Sequence, residues 1–181
     1  MVHQASATAL DALARLIPPR DGATIRAHFV EADLDQDFSR IASGTSNVVV
    51  ALDILVHVFD VFAFVSHCRR MLDAHGALLL HVPNVAYAKY RLELLAGQLP
   101  ITASWFGRPG DFAAWRATYG WDCGHLHYFT LKTLRGLLRD AGLDVADSGA
   151  RFERVRRFAP PLLCGNLFIV AHPLPGATGW Q

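Results

Sequence analysis

The chain has 181 residues, 52% of them hydrophobic and 18% charged, with a formal net charge of +1. That composition excludes intrinsic disorder and is long enough to bury a core. The near-zero charge gives no general attraction to nucleic acid or to an anionic membrane.

No apolar run approaches the roughly 20 residues that span a bilayer. Residues 1–17 lack the cationic start and unbroken apolar stretch of a secretory signal. The three cysteines, Cys68, Cys123 and Cys164, are scattered and odd in number, so they match neither a disulfide framework nor a zinc site. A reducing, cytoplasmic setting is the expectation.

In chain order, Leu10, Leu13, Ala14 and Ile17 share one face of an amphipathic helix over residues 5–17, which Pro18-Pro19 stops. Residues 25–32 read as a strand running into Asp33-Leu34-Asp35. Residues 47–52, ending in Leu52-Asp53, form an apolar run of the kind buried on both faces of a parallel sheet. A helix over 61–73 carries Phe64, Val65, Cys68, Met71 and Leu72 on one stripe, and Gly76 reads as its left-handed cap. A second buried strand, 77–82, ends at Pro83-Asn84, so the two runs and their helix form a β-α-β unit.

Residues 85–97 are helical in pattern, and from Gln98 to Gly124 the periodicity is lost. Trp105, Trp115 and Trp121 crowd that irregular stretch, which reads as a lid or insertion rather than a bare connection. Thr130 is placed to cap a helix bearing Leu131, Leu134, Leu138 and Ala141, with Gly142 closing it. Strands follow near 143–147 and 166–171, with no helical pattern between them, which predicts an antiparallel pair at one edge. Arg151, Arg154, Arg156 and Arg157 lack an aromatic stacking platform and read as a solvated face. Residues 1–172 then form one domain with a lid over 84–124, and 173–181 a tail.

In an open α/β sheet, ligands bind beyond the carboxyl ends of the strands. Here those ends are Asp33-Leu34, Leu52-Asp53 and Pro83-Asn84. Asp33 has two readings, a turn cap or a ligand contact, and His57 is either a satisfied ring in a first helical turn or a general base. His125 either anchors the lid or joins the chemistry.

The pattern Ala51-Leu52-Asp53-x-Leu55-x-His57-Val58 resembles the "ALDVLEHV" signature of class I S-adenosylmethionine (SAM) methyltransferases. Residues 62–80 resemble the stretch that follows it in that family, and His125-Leu126-His127-Tyr128-Phe129-Thr130 resembles an "HLRFFT" box of the methionine-biosynthesis W-like subgroup. The resemblance covers roughly residues 27–147. It implies a Rossmann-like α/β sandwich, mostly parallel with antiparallel edge strands, incomplete at its start. It also implies SAM as cofactor, with Asp33 and Leu34 at the adenine and Leu52 and Asp53 at the methionine half. His57 and His125 become the candidate catalytic groups.

Two departures stand out. Val56 replaces the usual glutamate, which breaks the acid–histidine pair that holds a metal in some relatives, so no metal is expected. Family members also read "LIPPGARVLDVGCGTG", whereas this chain has Leu16-Ile17-Pro18-Pro19-Arg20-Asp21-Gly22 and no G-x-G-x-G anywhere. Those glycines let backbone approach the cofactor without a Cβ. The resemblance therefore implies a methyltransferase-family protein acting on a small molecule, with its cofactor grip in question. The alternative is a non-catalytic module that binds a partner protein or forms a homodimer through uncovered sheet. A third reading is an internally deleted product of a longer gene.

Overall fold

The computed structural model describes residues 30, 32–35, 38, 40–102, 121–148 and 160–176. The chain divides into two units, Met1–Ala32 and Asp33–Gln181, and every element below belongs to the second. Those elements are β1 (Ser46–Leu52), α1 (Val61–Met71), β2 (Leu72–Pro83), α2 (Ala88–Leu95), a 3-10 turn (Trp121–Gly124), α3 (Leu131–Asp140), β3 (Leu143–Ser148), the short α4 (Pro160–Leu163) and β4 (Asn166–Pro173). The expected helix over 5–17 lies outside the described residues, as does most of the strand over 25–32. Val30 and Ala32 are not in a strand.

The described strands form one sheet in the order β1-β2-β4-β3. β1 pairs parallel to β2, while β2–β4 and β4–β3 are antiparallel. An α/β sheet with an antiparallel edge is what the sequence led us to expect, and the antiparallel share is two of the three described pairings. The β1-α1-β2 unit stands as predicted.

One face of the sheet is the core. Ala51, Leu78, Leu80, Val82, Leu167, Ile169 and Ala171 point into it and meet two amphipathic helices. α1 contributes Val61, Phe64, Val65, Cys68 and Met71, and α3 contributes Leu131, Leu134, Leu137 and Leu138. The other face is open: Val48, Val50 and Leu52 are each more than half exposed, and Phe168 is 47% exposed.

The helix ends follow from local chemistry. Asp60 caps α1, its Oδ1 accepting from the backbone N–H groups of Phe62 and Ala63, both at 2.9 Å. Thr130 caps α3 as predicted, and Thr133 returns the bond to the Thr130 backbone N–H to complete a capping box. Gly142 takes a φ of 78°, as a closing glycine should.

Gly76 does not cap α1. That helix passes at Leu72 straight into extended backbone, and Gly76 lies within β2. A Cβ built there would stand 2.9 Å from the Ser46 carbonyl oxygen and 2.9 Å from Leu72 Cδ2. Close approach of backbone from β1, not a left-handed turn, is what requires glycine at this position. The register breaks at the same point, between Ser46↔Leu72 and Val48↔Ala77.

Candidate functional site

The carboxyl ends of β1 and β2 place Asp53 and Asn84 at one end of the sheet. Asp53 has a φ of 55°, a left-handed conformation uncommon for a residue with a Cβ. Its backbone N–H donates to the His81 carbonyl at 2.9 Å, extending the ladder by one bond. Its carboxylate meets His81 Nδ1 at 2.9 Å, and the His81 ring lies 4.3 Å from that of Phe168. The side chain of Asp53 is 53% exposed, and that of His81 is 16% exposed. Leu52 and Leu34 are also partly exposed, at 52% and 37%.

Asn84 is buried and acts as a staple rather than a ligand. Its Nδ2 donates to the Cys164 carbonyl at 2.7 Å, and its Oδ1 accepts from the Ala86 N–H at 3.1 Å. Asp33 serves at least the structural role considered for it, since its Oδ1 accepts from the Asp35 backbone N–H at 3.0 Å. Asp35 then ties this turn to the β1–α1 connection, its Oδ1 accepting from the Phe59 N–H at 2.6 Å. The Asp33-Leu34 turn is thus held beside the loop that carries Asp53 and His57.

His57 and His125, far apart in sequence, form an edge-to-face pair with ring centroids 5.0 Å apart. The backbone brings them together: the Leu126 N–H donates to the Val56 carbonyl at 2.7 Å. Val56 itself is buried in the core, which suits an apolar side chain where the family signature has glutamate. Among the described residues no cluster of three or more His, Cys, Asp or Glu side chains is placed to hold a metal ion.

His125 is held by residues that sequence reasoning missed. Its Nδ1 lies 2.8 Å from Thr102 Oγ1, and the Thr102 hydroxyl donates to Asp122 Oδ2 at 2.7 Å. The Thr102 backbone N–H also donates to Asp122 Oδ1 at 2.7 Å, and the Tyr128 hydroxyl donates to Oδ2 at 3.2 Å. Asp122 is fully buried and takes a left-handed φ of 46°. Burial first, and then the Asp122 carboxylate beside it, push the Tyr128 phenol above its ordinary value.

This chain of bonds assigns a tautomer. Thr102 spends its only hydroxyl proton on Asp122, so its oxygen can only accept from His125. The proton of neutral His125 therefore sits on Nδ1, and Nε2 keeps a lone pair. His57 reaches the same state, because its Nδ1 faces the Gly124 carbonyl oxygen at 3.3 Å, which can only accept. Two imidazoles thus stand side by side, each with a basic Nε2. The spacing Asp122-x-x-His125-x-x-Tyr128 was a readable signal, but the partner Thr102 is 20 residues upstream of Asp122.

The methyltransferase domain family matches residues 2–148. The chain belongs to that family. Solved structures agree on the fold. A SAM-dependent methyltransferase from Mesorhizobium loti is 17% identical with a TM-score of 0.51, the match covering 92% of this chain and 76% of that one. Magnesium protoporphyrin IX methyltransferase from Synechocystis PCC 6803, with bound SAH, is 18% identical with a TM-score of 0.51, covering 91% and 57%. A complex between the Haloferax volcanii Trm112 methyltransferase activator and a methyltransferase gives 16% identity and a TM-score of 0.50, covering 89% and 66%. This methyltransferase-family chain spans less than two thirds of the last two proteins. No curated protein matches it.

Proposed function

We propose that this chain binds SAM at the carboxyl ends of its strands and methylates a small molecule, with His125 as general base and His57 beside it. The observation that carries the reading is the Asp122–Thr102–His125 chain, which leaves a basic Nε2 on a side chain only 6% exposed, next to the loop after β1. A general base works best when its tautomer and orientation are fixed in advance.

The residues described at this end of the sheet support the reading. Two carboxylates, Asp33 and Asp53, suit its amino groups, and the half-exposed Leu34 and Leu52 offer apolar cover. SAM supplies a methyl group already activated on a sulfonium, so the protein's task is positioning and desolvation. His125 Nε2 takes the proton released by the acceptor's hydroxyl or amine. Thr102 and Asp122 stabilise the imidazolium that results, since Asp122 lies 3.6 Å from His125 Nδ1.

Residues 84–124 serve as the lid. Thr102 and Asp122 bond to each other twice at 2.7 Å beside His125, and this clasp supports the lid reading. We place the protein in the cytoplasm, in keeping with the buried thiol of Cys68. No described helix is long and apolar enough to cross a membrane.

Calorimetric titration with SAM tests the reading. Saturable heat that weakens in Asp53→Ala supports it, and the absence of heat or thermal shift at saturation would remove it. A second reading rests on the open sheet face of Val48, Val50, Leu52 and Phe168, which suits a partner protein or a second copy. Light scattering separates the two, because a clean monomer at high concentration counts against a homodimer.

A further inference from the structure

Two hollows adjoin along α3. One, about 400 Å³, begins at Ala86, Arg91 and Thr130. The other, about 440 Å³, ends at Gly136, Arg139 and Asp144. They share Lys132 and Arg135 in their linings, and we take them together as one groove.

The helix period explains the lining. Lys132, Arg135 and Arg139 stand at i, i+3 and i+7, which places them on one side of α3. Leu131, Leu134 and Leu138 turn the opposite side into the core. The resulting charge is far from that of the chain as a whole. Among the described residues, four cations (Arg91, Lys132, Arg135, Arg139) and one carboxylate (Asp144) line the groove, whereas the entire protein carries a net charge of +1.

Gly136 gives an independent indication. A glycine inside a helix costs about 1 kcal/mol relative to alanine. Packing does not demand it here, because a Cβ at Gly136 would meet nothing within 4 Å. What its missing side chain does is leave the floor of the groove open. Arg91 is also fixed in advance, its Nε donating to the Ala86 carbonyl at 2.7 Å. That bond orders the guanidinium before a ligand arrives and lowers the entropy cost of binding.

We infer that this groove binds a small molecule bearing two or more phosphate charges. Its size suits a compact ligand rather than a single ion, since small-molecule sites run from about 300 to 1,000 Å³. Arginine forks match phosphate oxygens two at a time, and lysine adds a point charge. The Thr130 end of α3 adds the partial positive charge of a ten-residue helix. The inference needs nothing from the methyl-transfer reading and stands or falls separately.

The test uses the full chain and inorganic pyrophosphate, followed by calorimetry at low and high salt with no SAM present. Wild-type protein should bind saturably and lose affinity as salt rises. The double variant Lys132→Gln/Arg139→Gln should weaken binding by about tenfold or more for each cation removed. Arg40→Gln, an exposed arginine before β1 and outside the groove, should bind as wild type does. Circular dichroism melts confirm that each variant is folded. No saturable heat from folded wild-type protein would overturn the inference, and so would equal affinity in the double variant and Arg40→Gln. Phosphatidylglycerol vesicles probe the other source of phosphate. Binding to vesicles with none to pyrophosphate would assign a membrane surface and overturn a small-molecule site.

Discussion

Asp122 holds Thr102 by two bonds of 2.7 Å, one to the backbone N–H and one to the hydroxyl. Because Thr102 Oγ1 also meets His125 Nδ1, a carboxylate with no solvent exposure sets the state of a histidine it scarcely touches. In the proposed reaction Asp122 is then a positioning residue for His125.

Asp122→Asn checks this. An amide in that buried place puts a donor where one carboxylate oxygen accepted, either toward the two hydroxyls or toward the Thr102 N–H, so we expect a loss of about 3 kcal/mol in urea unfolding. A purely structural role would end there. The proposed role adds two readouts. The Tyr128 phenol should titrate at lower pH than in wild type, followed by absorbance near the ultraviolet phenolate band, because the carboxylate's contribution is gone while burial remains. Methyl transfer by folded protein should also fall in kcat while SAM affinity is kept.

Much of the fold was legible in the sequence. The runs ending at Leu52 and Pro83 read as strands and pair as expected, but β1 is not buried on both faces as its unbroken apolar run led us to expect, because Val48, Val50 and Leu52 are each more than half exposed. Thr130 and Gly142 announced α3 through capping chemistry, which is local. Gly76 misled because a glycine after an apolar stripe usually marks a left-handed cap. Only its contact with the Ser46 carbonyl, 30 residues upstream in sequence, reveals another purpose. At the site, His57 and His125 could be named from their surroundings. Their pairing could not, since it depends on the Leu126–Val56 backbone bond. Thr102 was hidden for the same reason, since its bonds to Asp122 and His125 join segments 20 and 23 residues apart.

Gly76→Ala tests the close approach of β1 to β2. The added methyl would sit 2.9 Å from the Ser46 carbonyl and 3.2 Å from the Asn47 carbonyl, both backbone atoms that cannot rotate away. We expect destabilisation of about 1–3 kcal/mol by denaturant unfolding. A left-handed cap would predict strain from φ, but Gly76 is not among the glycines with positive φ. A neutral substitution would show that β1 can move aside.

Asp53 offers a pair of substitutions with opposite sense. Its φ of 55° is costly for any residue with a Cβ, and its carboxylate pairs with His81. Asp53→Gly loses the pair but relieves the backbone, whereas Asp53→Ala loses the pair and keeps the strain. The glycine variant should therefore be the more stable by about 1 kcal/mol. Both should weaken SAM binding equally if the carboxylate is the contact. Weaker binding in the alanine variant alone would point to backbone shape instead.

Cys68 predicts how stability depends on alkaline pH. The thiol is 1% exposed on the core stripe of α1, and burial pushes its pKa up from 9.0 to about 12, with a backbone hydrogen bond pulling the other way. In the unfolded chain the thiol gives up its proton as pH passes about 9, while the folded chain keeps it until about 12. Across that window the unfolded state binds fewer protons, so stability falls as pH rises. The contribution is fully present below about 9 and lost as pH climbs through about 12. A shift of this size sets a ceiling of about 4 kcal/mol, at roughly 1.4 kcal/mol for each pKa unit. Tyr128, also raised, acts in the same direction, so the comparison must isolate the thiol. Cys68→Ala does so: it lowers stability at neutral pH by leaving a small cavity, but it should flatten the alkaline decline. Urea midpoints for both proteins, taken across the alkaline range, should converge as pH rises. Parallel curves would show that the thiol ionises without resistance from the core.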